Sequence, residues 1–348
     1  MPDGTTPGGA MRYSIFSVND HYPDLERTVP QLYGEVMEQC ELAEKLGYDT
    51  FFCAEHHFHE YGVVPDPAVM LAALTQRTSR IRLGTAISIL TFHDPRRCAE
   101  TYSMLDMMSG GRLVYGVGSG YLAHEFEGYD ANPADKRDKF NENLDIIKRL
   151  MSGERLSYEG KFSKSDNVVL NVWPHEGKLP PIYVAVLARP GIYHVGLQGN
   201  RIFTVPYACC EDFEDIGTLF SEFRKGRAEA GLPAEDDDHA FVLHCHVAES
   251  DEACHANAKE PYDRYVRTRL YAKMHVYEDI LENGICLFGS VEHVTEKMIR
   301  LHDMGLRHIG LLQNFGNMPR ATVENSMRLI AEEVMPRVEA HIAKRAAA

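Results

Sequence analysis

Eight times along this 348-residue chain, a short run of β-branched, aromatic or aliphatic residues gives way to a longer amphipathic run. The short runs are 12–18, 49–54, 81–90, 113–118, 181–186, 201–205, 241–248 and 308–313. Their length and residue types predict strands. Helices are predicted over 31–47, 66–78, 93–112, 134–151, 190–199, 211–230, 291–304 and 321–344, with a further helical region at 251–283. Their ends carry recognisable chemistry. Asp66-Pro67 and Asp94-Pro95 combine an N-cap with a proline at the first helical position, and Gly47 is a natural C-cap. The run "IRLGTAISIL" is almost continuously apolar, as a strand covered on both faces must be.

Strand–helix alternation makes parallel sheets with crossover helices. Eight repeats in one series favour a closed (β/α)8 barrel, the TIM-barrel architecture, over an open sheet. No Pro/Gly/Ser-rich linker interrupts the series. The expectation is therefore a single α/β domain over 11–345, preceded by a flexible arm at 1–10. The segments 152–179 and 251–285 read as insertions at the barrel ends, the first with room for a small hairpin.

Charge and cysteine usage narrow the function. The formal net charge of −15 disfavours a broad basic surface for nucleic acid or an anionic membrane, although 36 Lys and Arg leave room for local positive pockets. The eight cysteines form no Cys-x-x-Cys pair, so neither a zinc ribbon nor a redox dithiol is indicated. Scattered, mostly buried thiols suit a cytoplasmic location. Cys209 and Cys210 are adjacent and would bridge only with strain. The first ten residues have neither a basic nor an apolar signal region. The longest apolar runs, such as "AVMLAAL", are too short to cross a bilayer.

The stretch "FFCAEHHFHE" (51–60) concentrates the chemistry. In a barrel, Glu55 to Glu60 would lie at the C-terminal end of the second strand, the rim that carries active sites. The same rim would receive "SILTFHD", "GVGSGYLAHEFEGY" and "AVLARPG", so His56, His93 and His124 could converge. A metal site is disfavoured, because His-Glu-x-x-His is absent and neighbouring side chains on an extended strand point apart. His57 and His59 read as histidines that hold the loop. "GVGSGY" (116–121) has Tyr121 where a dinucleotide fingerprint needs its third glycine. "GERLSYEGKFS" lacks phosphate-loop spacing, no Gly-x-Ser-x-Gly elbow occurs, and "EDDDHA" (235–240) reads as a solvated acidic turn.

Taken with "IRLGTAISILTFHDPRRCAETYSMLDMMSGGRLVYGVGSGY" and the C-terminal "FGSVEHVTEKMIRLHDMGLRHIGLLQNFG", the Glu-His-His-Phe element makes the chain resemble the bacterial luciferase-like flavin monooxygenases over nearly its whole length. The resemblance implies a barrel that binds FMN reduced by a separate flavin reductase. With O2, the reduced flavin would form a 4a-hydroperoxide that oxygenates a small organic substrate in a dry pocket. His56 matches the family's active-site histidine, and Glu55 the acidic residue before it. Thr85, Ala86 and Ile87 match a bulge under the flavin ring, with a non-proline cis peptide at Ala86–Ile87. Arg137 matches a phosphate-binding arginine.

Gly118-Ser119 stand where the luciferases carry Cys-Arg, and Ala188 and Gly191 where they carry hydroxyls. Phosphate would then rest on backbone N–H groups at a helix N-terminus and on Arg189. His93, Tyr121 and His124 are candidates for the substrate side. The stretch 264–284 is shorter than the luciferases' mobile loop, which disfavours light emission on a fatty aldehyde and leaves a different, bulkier or aromatic substrate an equal candidate. The resemblance also implies a homodimer. The rival readings are a deazaflavin-dependent oxidoreductase of the same superfamily and a non-catalytic flavin-binding subunit.

Overall fold

In a computed structural model, which describes residues 9–233, 239–268 and 275–347, the chain forms eleven strands. These are β1 (Arg12–Ser17), β2 (Thr50–Cys53), β3 (Arg82–Ile89), β4 (Leu113–Gly118), β5 (Leu156–Glu159), β6 (Lys164–Val168), β7 (Ile182–Val186), β8 (Arg201–Thr204), β9 (His239–Ala248), β10 (Leu287–Ser290) and β11 (His308–Asn314). Eight of them close a parallel ring in the order β1-β2-β3-β4-β7-β8-β9-β11, and β11 pairs back onto β1 from Arg12↔His308 to Ser17↔Asn314. These eight are the strands expected from the sequence, with bounds shifted by a residue or two.

The local signals act as their chemistry requires. Helix Val29–Leu46 begins at a capping box in which Thr28 and Gln31 satisfy each other's backbone, and ends at left-handed Gly47. The Asp66 side chain accepts from Ala68 N at 2.9 Å, and that of Asp94 from Arg96 N at 2.9 Å, opening helices Pro67–Thr75 and Pro95–Ser109.

Three elements were not legible in the sequence. The apolar run at 287–290 is a strand, β10, which pairs with the C-terminal half of β9 outside the ring (Leu287↔Cys245). Helix Ala123–Gly128 occupies part of the loop after β4. The final helix is interrupted by a π turn at Ile330–Val334. The 152–179 insertion does hold a hairpin, β5–β6. Of the 251–283 region, helices Asp251–Thr268 and Tyr277–Glu282 are seen, while 269–274 lie outside the described residues. Of the arm at 1–10, residues 1–8 also lie outside them, and the Gly9 carbonyl accepts from His302 Nε2 at 3.0 Å. The acidic turn likewise falls largely outside, at 235–238.

The ring interior is filled below its rim by Phe52, whose ring lies 5.3 Å from that of Phe203 and 6.0 Å from that of His308. The open cavity described below lies on the C-terminal side of this packing. All eight cysteines are free thiols, and all but Cys209 are buried.

Candidate active site

A cavity of about 470 Å³ opens at the C-terminal rim, within the usual size of small-molecule sites. Phe16, Val184, Phe203 and Leu312 form its floor from four strands of the ring, and Tyr61, Tyr121 and Tyr265 stand around its upper wall.

His56 lines this cavity from the loop after β2. Its Nδ1 lies 3.0 Å from Glu125 Oε1, and the Tyr61 ring packs edge-on against the imidazole at 4.5 Å. Its Nε2 makes no hydrogen bond among the described residues. Glu55 also reaches the cavity wall, but its oxygens serve other groups. Oε1 accepts from His57 Nε2 at 3.0 Å and from His93 Nε2 at 2.7 Å, while Oε2 accepts from the Ile89 backbone N–H at 3.1 Å. Burial works to raise the Glu55 carboxyl. The hydrogen bonds and charge of His57 and His93 outweigh it and hold the group below the usual carboxylate range. His93 shows the converse: burial works to lower its imidazole, and Glu55 prevails and raises it.

The floor beside His56 is an irregularity in β3. Register against β4 breaks between Thr85 and Ser88, and the Ala86–Ile87 peptide is cis. This bulge explains the glycines of "GVGSG". A Cβ on Gly116 would lie 2.1 Å from the Thr85 carbonyl oxygen, and one on Gly118 would lie 2.2 Å from Ile87 Cδ1. Only the absence of a Cβ at positions 116 and 118 lets the bulge press against β4.

The opposite end of the cavity is basic and amide-rich. Lys136 and Arg137, from the start of helix Lys136–Met151, line it beside Ser119. Facing them is the N-terminus of helix Arg189–Leu197, to which no side chain gives a cap. Such a terminus attracts anions through its N–H groups and dipole. Ala188 and Gly191 line it there, followed by His194 and Gln198 farther along the same face.

Ten of the sequence candidates therefore gather in one cavity: Glu55, His56, Ala86, Ile87, Gly118, Ser119, Tyr121, Arg137 and the pair Ala188 and Gly191 at one helix start. Four do not reach it. Thr85 is turned into the barrel wall, its hydroxyl donating to the Gly116 carbonyl at 2.7 Å. Arg189 swings outward to Asp215 at 3.2 Å and to Thr218, because an ion pair is available there. His93 sits behind Glu55, and His124 donates from Nε2 to the His57 carbonyl at 3.0 Å. His57 and His59 are loop-holding, as the sequence implied: His59 Nδ1 accepts from Tyr61 N at 3.1 Å.

The sequence reading missed Glu125, Lys136, His194 and Gln198. Adjacency to Arg137 could have flagged Lys136, and helical spacing from Gly191 could have flagged the last two. Glu125 carried no such signal, because its partner lies 69 residues away. Among the described residues, no group of three His, Cys, Asp or Glu side chains is arranged to hold a metal ion, and no helix is long and apolar enough to cross a membrane.

Fold and site together define a (β/α)8-barrel enzyme with a cofactor-sized pocket at the catalytic rim. The family model described as luciferase-like monooxygenase matches residues 11–308, and the chain belongs to that family of oxidoreductases. It is 29% identical to the oxygenase component of the flavin-dependent trigonelline monooxygenase of Acinetobacter baylyi, covering 72% of this chain and 69% of that one. It is 28% identical to an F420-dependent glucose-6-phosphate dehydrogenase of Microbacterium testaceum, covering 89% and 94%. Among solved structures, the monooxygenase RslO1 of Streptomyces bottropensis superposes with a TM-score of 0.87 at 27% identity, over 94% of this chain and 99% of that one.

Proposed function

We propose that the protein is the oxygenase component of a two-component system, using FMN reduced by a separate flavin reductase, together with O2, to oxygenate a small organic substrate. The observation that carries this reading is one cavity lined by the apolar Ala86–Ile87 bulge, by Lys136 and Arg137, and by a histidine nitrogen without a hydrogen bond among the described residues. A flat tricyclic ring with an anionic tail fits that layout. The cradle tests the fit: side chains on Gly116 or Gly118 would fill the space that the bulge takes. The flavin-dependent relative, an oxygenase component by name, supports the choice of cofactor and partner.

Reduced FMN, when bound, would supply the electrons that activate O2. The work left to the chain is physical. Lys136, Arg137, Ser119 and the uncapped start of helix Arg189–Leu197 would hold the phosphate through charge-assisted bonds. Phe16, Phe203 and Leu312 exclude water from below, and Tyr61, Tyr121 and Tyr265 orient substrate from above. His56 Nε2 would accept or return a proton at the reacting atoms. The same reading places the protein in the cytoplasm. It also pairs two copies as a homodimer through the exposed face of helices Pro67–Thr75 and Pro95–Ser109, where Val69, Met104, Met107 and Met108 stand out of the surface.

The F420-dependent relative favours a second reading, hydride transfer with a deazaflavin. One experiment separates the two. Purified protein is titrated anaerobically with reduced FMN and, in parallel, with reduced F420, and O2 uptake is then followed with wild type and His56→Ala. Binding of reduced FMN with His56-dependent O2 uptake is expected. Binding of F420 alone would overturn the proposal.

A further inference from the structure

We propose that Glu125 is the positioning residue of the site: its carboxylate holds His56 in the Nδ1–H tautomer, leaving Nε2 bare as the proton acceptor. This rests on the reading that His56 acts in the cavity, and it adds the residue that sets the direction of the proton's movement.

Glu125 is completely buried, on helix Ala123–Gly128. Its Oε1 contacts two groups, His56 Nδ1 at 3.0 Å and the His57 backbone N–H at 3.1 Å. A backbone N–H can only donate, so Oε1 accepts there, and as an ionised carboxylate oxygen it accepts from the His56 nitrogen as well, which then carries the hydrogen. The other oxygen, Oε2, is buried and makes no hydrogen bond in the described structure, so it offers no second arrangement. The choice of imidazole tautomer follows from the bond that its other nitrogen makes.

The neighbouring contacts reinforce this choice. His124 Nε2 donates to the His57 carbonyl at 3.0 Å, so residues 124 and 125 grip residues 56 and 57 at three points. The Tyr61 ring closes one face of the imidazole. Glu55, although adjacent in sequence, cannot substitute, because its bonds go to His57, His93 and Ile89. The two buried carboxylates thus divide the histidines between them. Glu55 anchors His57 and His93, and Glu125 orients the one that meets the cavity.

The test is ¹⁵N-histidine NMR on the full-length protein, with the His56 signals assigned by their loss in His56→Asn, together with pH–rate profiles. Wild type is expected to show protonated Nδ1 and bare Nε2 at neutral pH. In Glu125→Ala, the signal should move to the mixture of an unheld imidazole, and kcat should fall roughly 10- to 100-fold, the worth of a hydrogen bond to a charged group, while reduced-FMN affinity stays within about twofold. Glu125→Gln keeps an acceptor oxygen and should keep the tautomer. Without the negative charge, however, the acidic limb of its kcat profile should move down by about one pH unit.

An unchanged tautomer in Glu125→Ala, or a loss of activity matched by loss of flavin binding, would overturn the proposal. If the alanine variant does not fold, an unshifted acidic limb in Glu125→Gln overturns it instead. The NMR readout needs no turnover, so it judges Glu125 even if the oxygenase reading fails.

Discussion

Acidification from pH 7 to 5.5 should cost this protein about 4 kcal/mol of folding stability through three histidines buried without charge. His239 and His244 lie on β9 and His308 on β11, all fully inside the barrel wall or its rim. Burial pushes His239 down to about 3, helped by the charges of Arg224, Arg12 and Arg307. Burial alone takes His244 to about 3. Burial, with Arg12 and Arg82, drives His308 well below its ordinary value.

An unfolded histidine titrates near 6.5, so below that pH the unfolded chain binds more protons than the native one, and stability falls as pH falls. Each residue contributes ~1.3 kcal/mol over this interval, and the loss continues down to the depressed native values. His93 acts in the opposite sense: its native pKa is raised, so its contribution is complete below 6.5 and is lost as pH rises through the native value. The measurement is urea unfolding at 0.25-unit steps of pH, on wild type and His244→Phe. His244 sits among Tyr207, Tyr262, Tyr265 and Phe315, with both ring nitrogens unbonded in the described structure, so a phenyl ring suits its place. The variant should lose the ~1.3 kcal/mol that His244 contributes over this interval. A wild-type slope in His244→Phe, or a flat profile in both, would refute the reasoning.

The remaining expectations concern the cavity and the surface. Arg137→Ala should weaken reduced-FMN binding roughly 10- to 150-fold, as measured by anaerobic fluorescence titration, with Tm almost unchanged. Gly116→Ala must displace the Thr85 carbonyl, which would lie 2.1 Å from the new methyl. A loss of about 1–3 kcal/mol in chemical unfolding is expected, with poorer cofactor retention. If the proposed dimer forms through that face, Met107→Glu on helix Pro95–Ser109 should sediment as a monomer in sedimentation velocity, with the wild type expected as a dimer.

Legibility in the sequence followed the range of the physics involved. The barrel was readable because each strand and helix announces itself locally: Thr28, Asp66 and Asp94 cap the helices that follow them, and Gly47 and Gly110 end two. β10 was not readable, since four residues have no period of their own and its partner is half a strand 42 residues earlier. In the site, His56 and Arg137 were legible through motif and position. Glu125 was passed over, because nothing local tells that a glutamate on a six-residue helix will meet a histidine from another loop. Arg189 failed for the converse reason. Its place at a helix start was right, but a long side chain follows the nearest carboxylate, and Asp215 stands outside the cavity.

Cys209 has a practical use. It is the one thiol that solvent can reach, and its neighbourhood favours reaction: a hydrogen bond from Cys210, then Thr204 and the charge of Arg189, together outweigh burial and lower its pKa. It directly follows the short turn that brings Tyr207 to the cavity wall. A maleimide dye or spin label would therefore attach at a single point without any engineered cysteine. There it would sense the arrival of ligands next door, and the same exposure would make this sulfur the first to record stray peroxide.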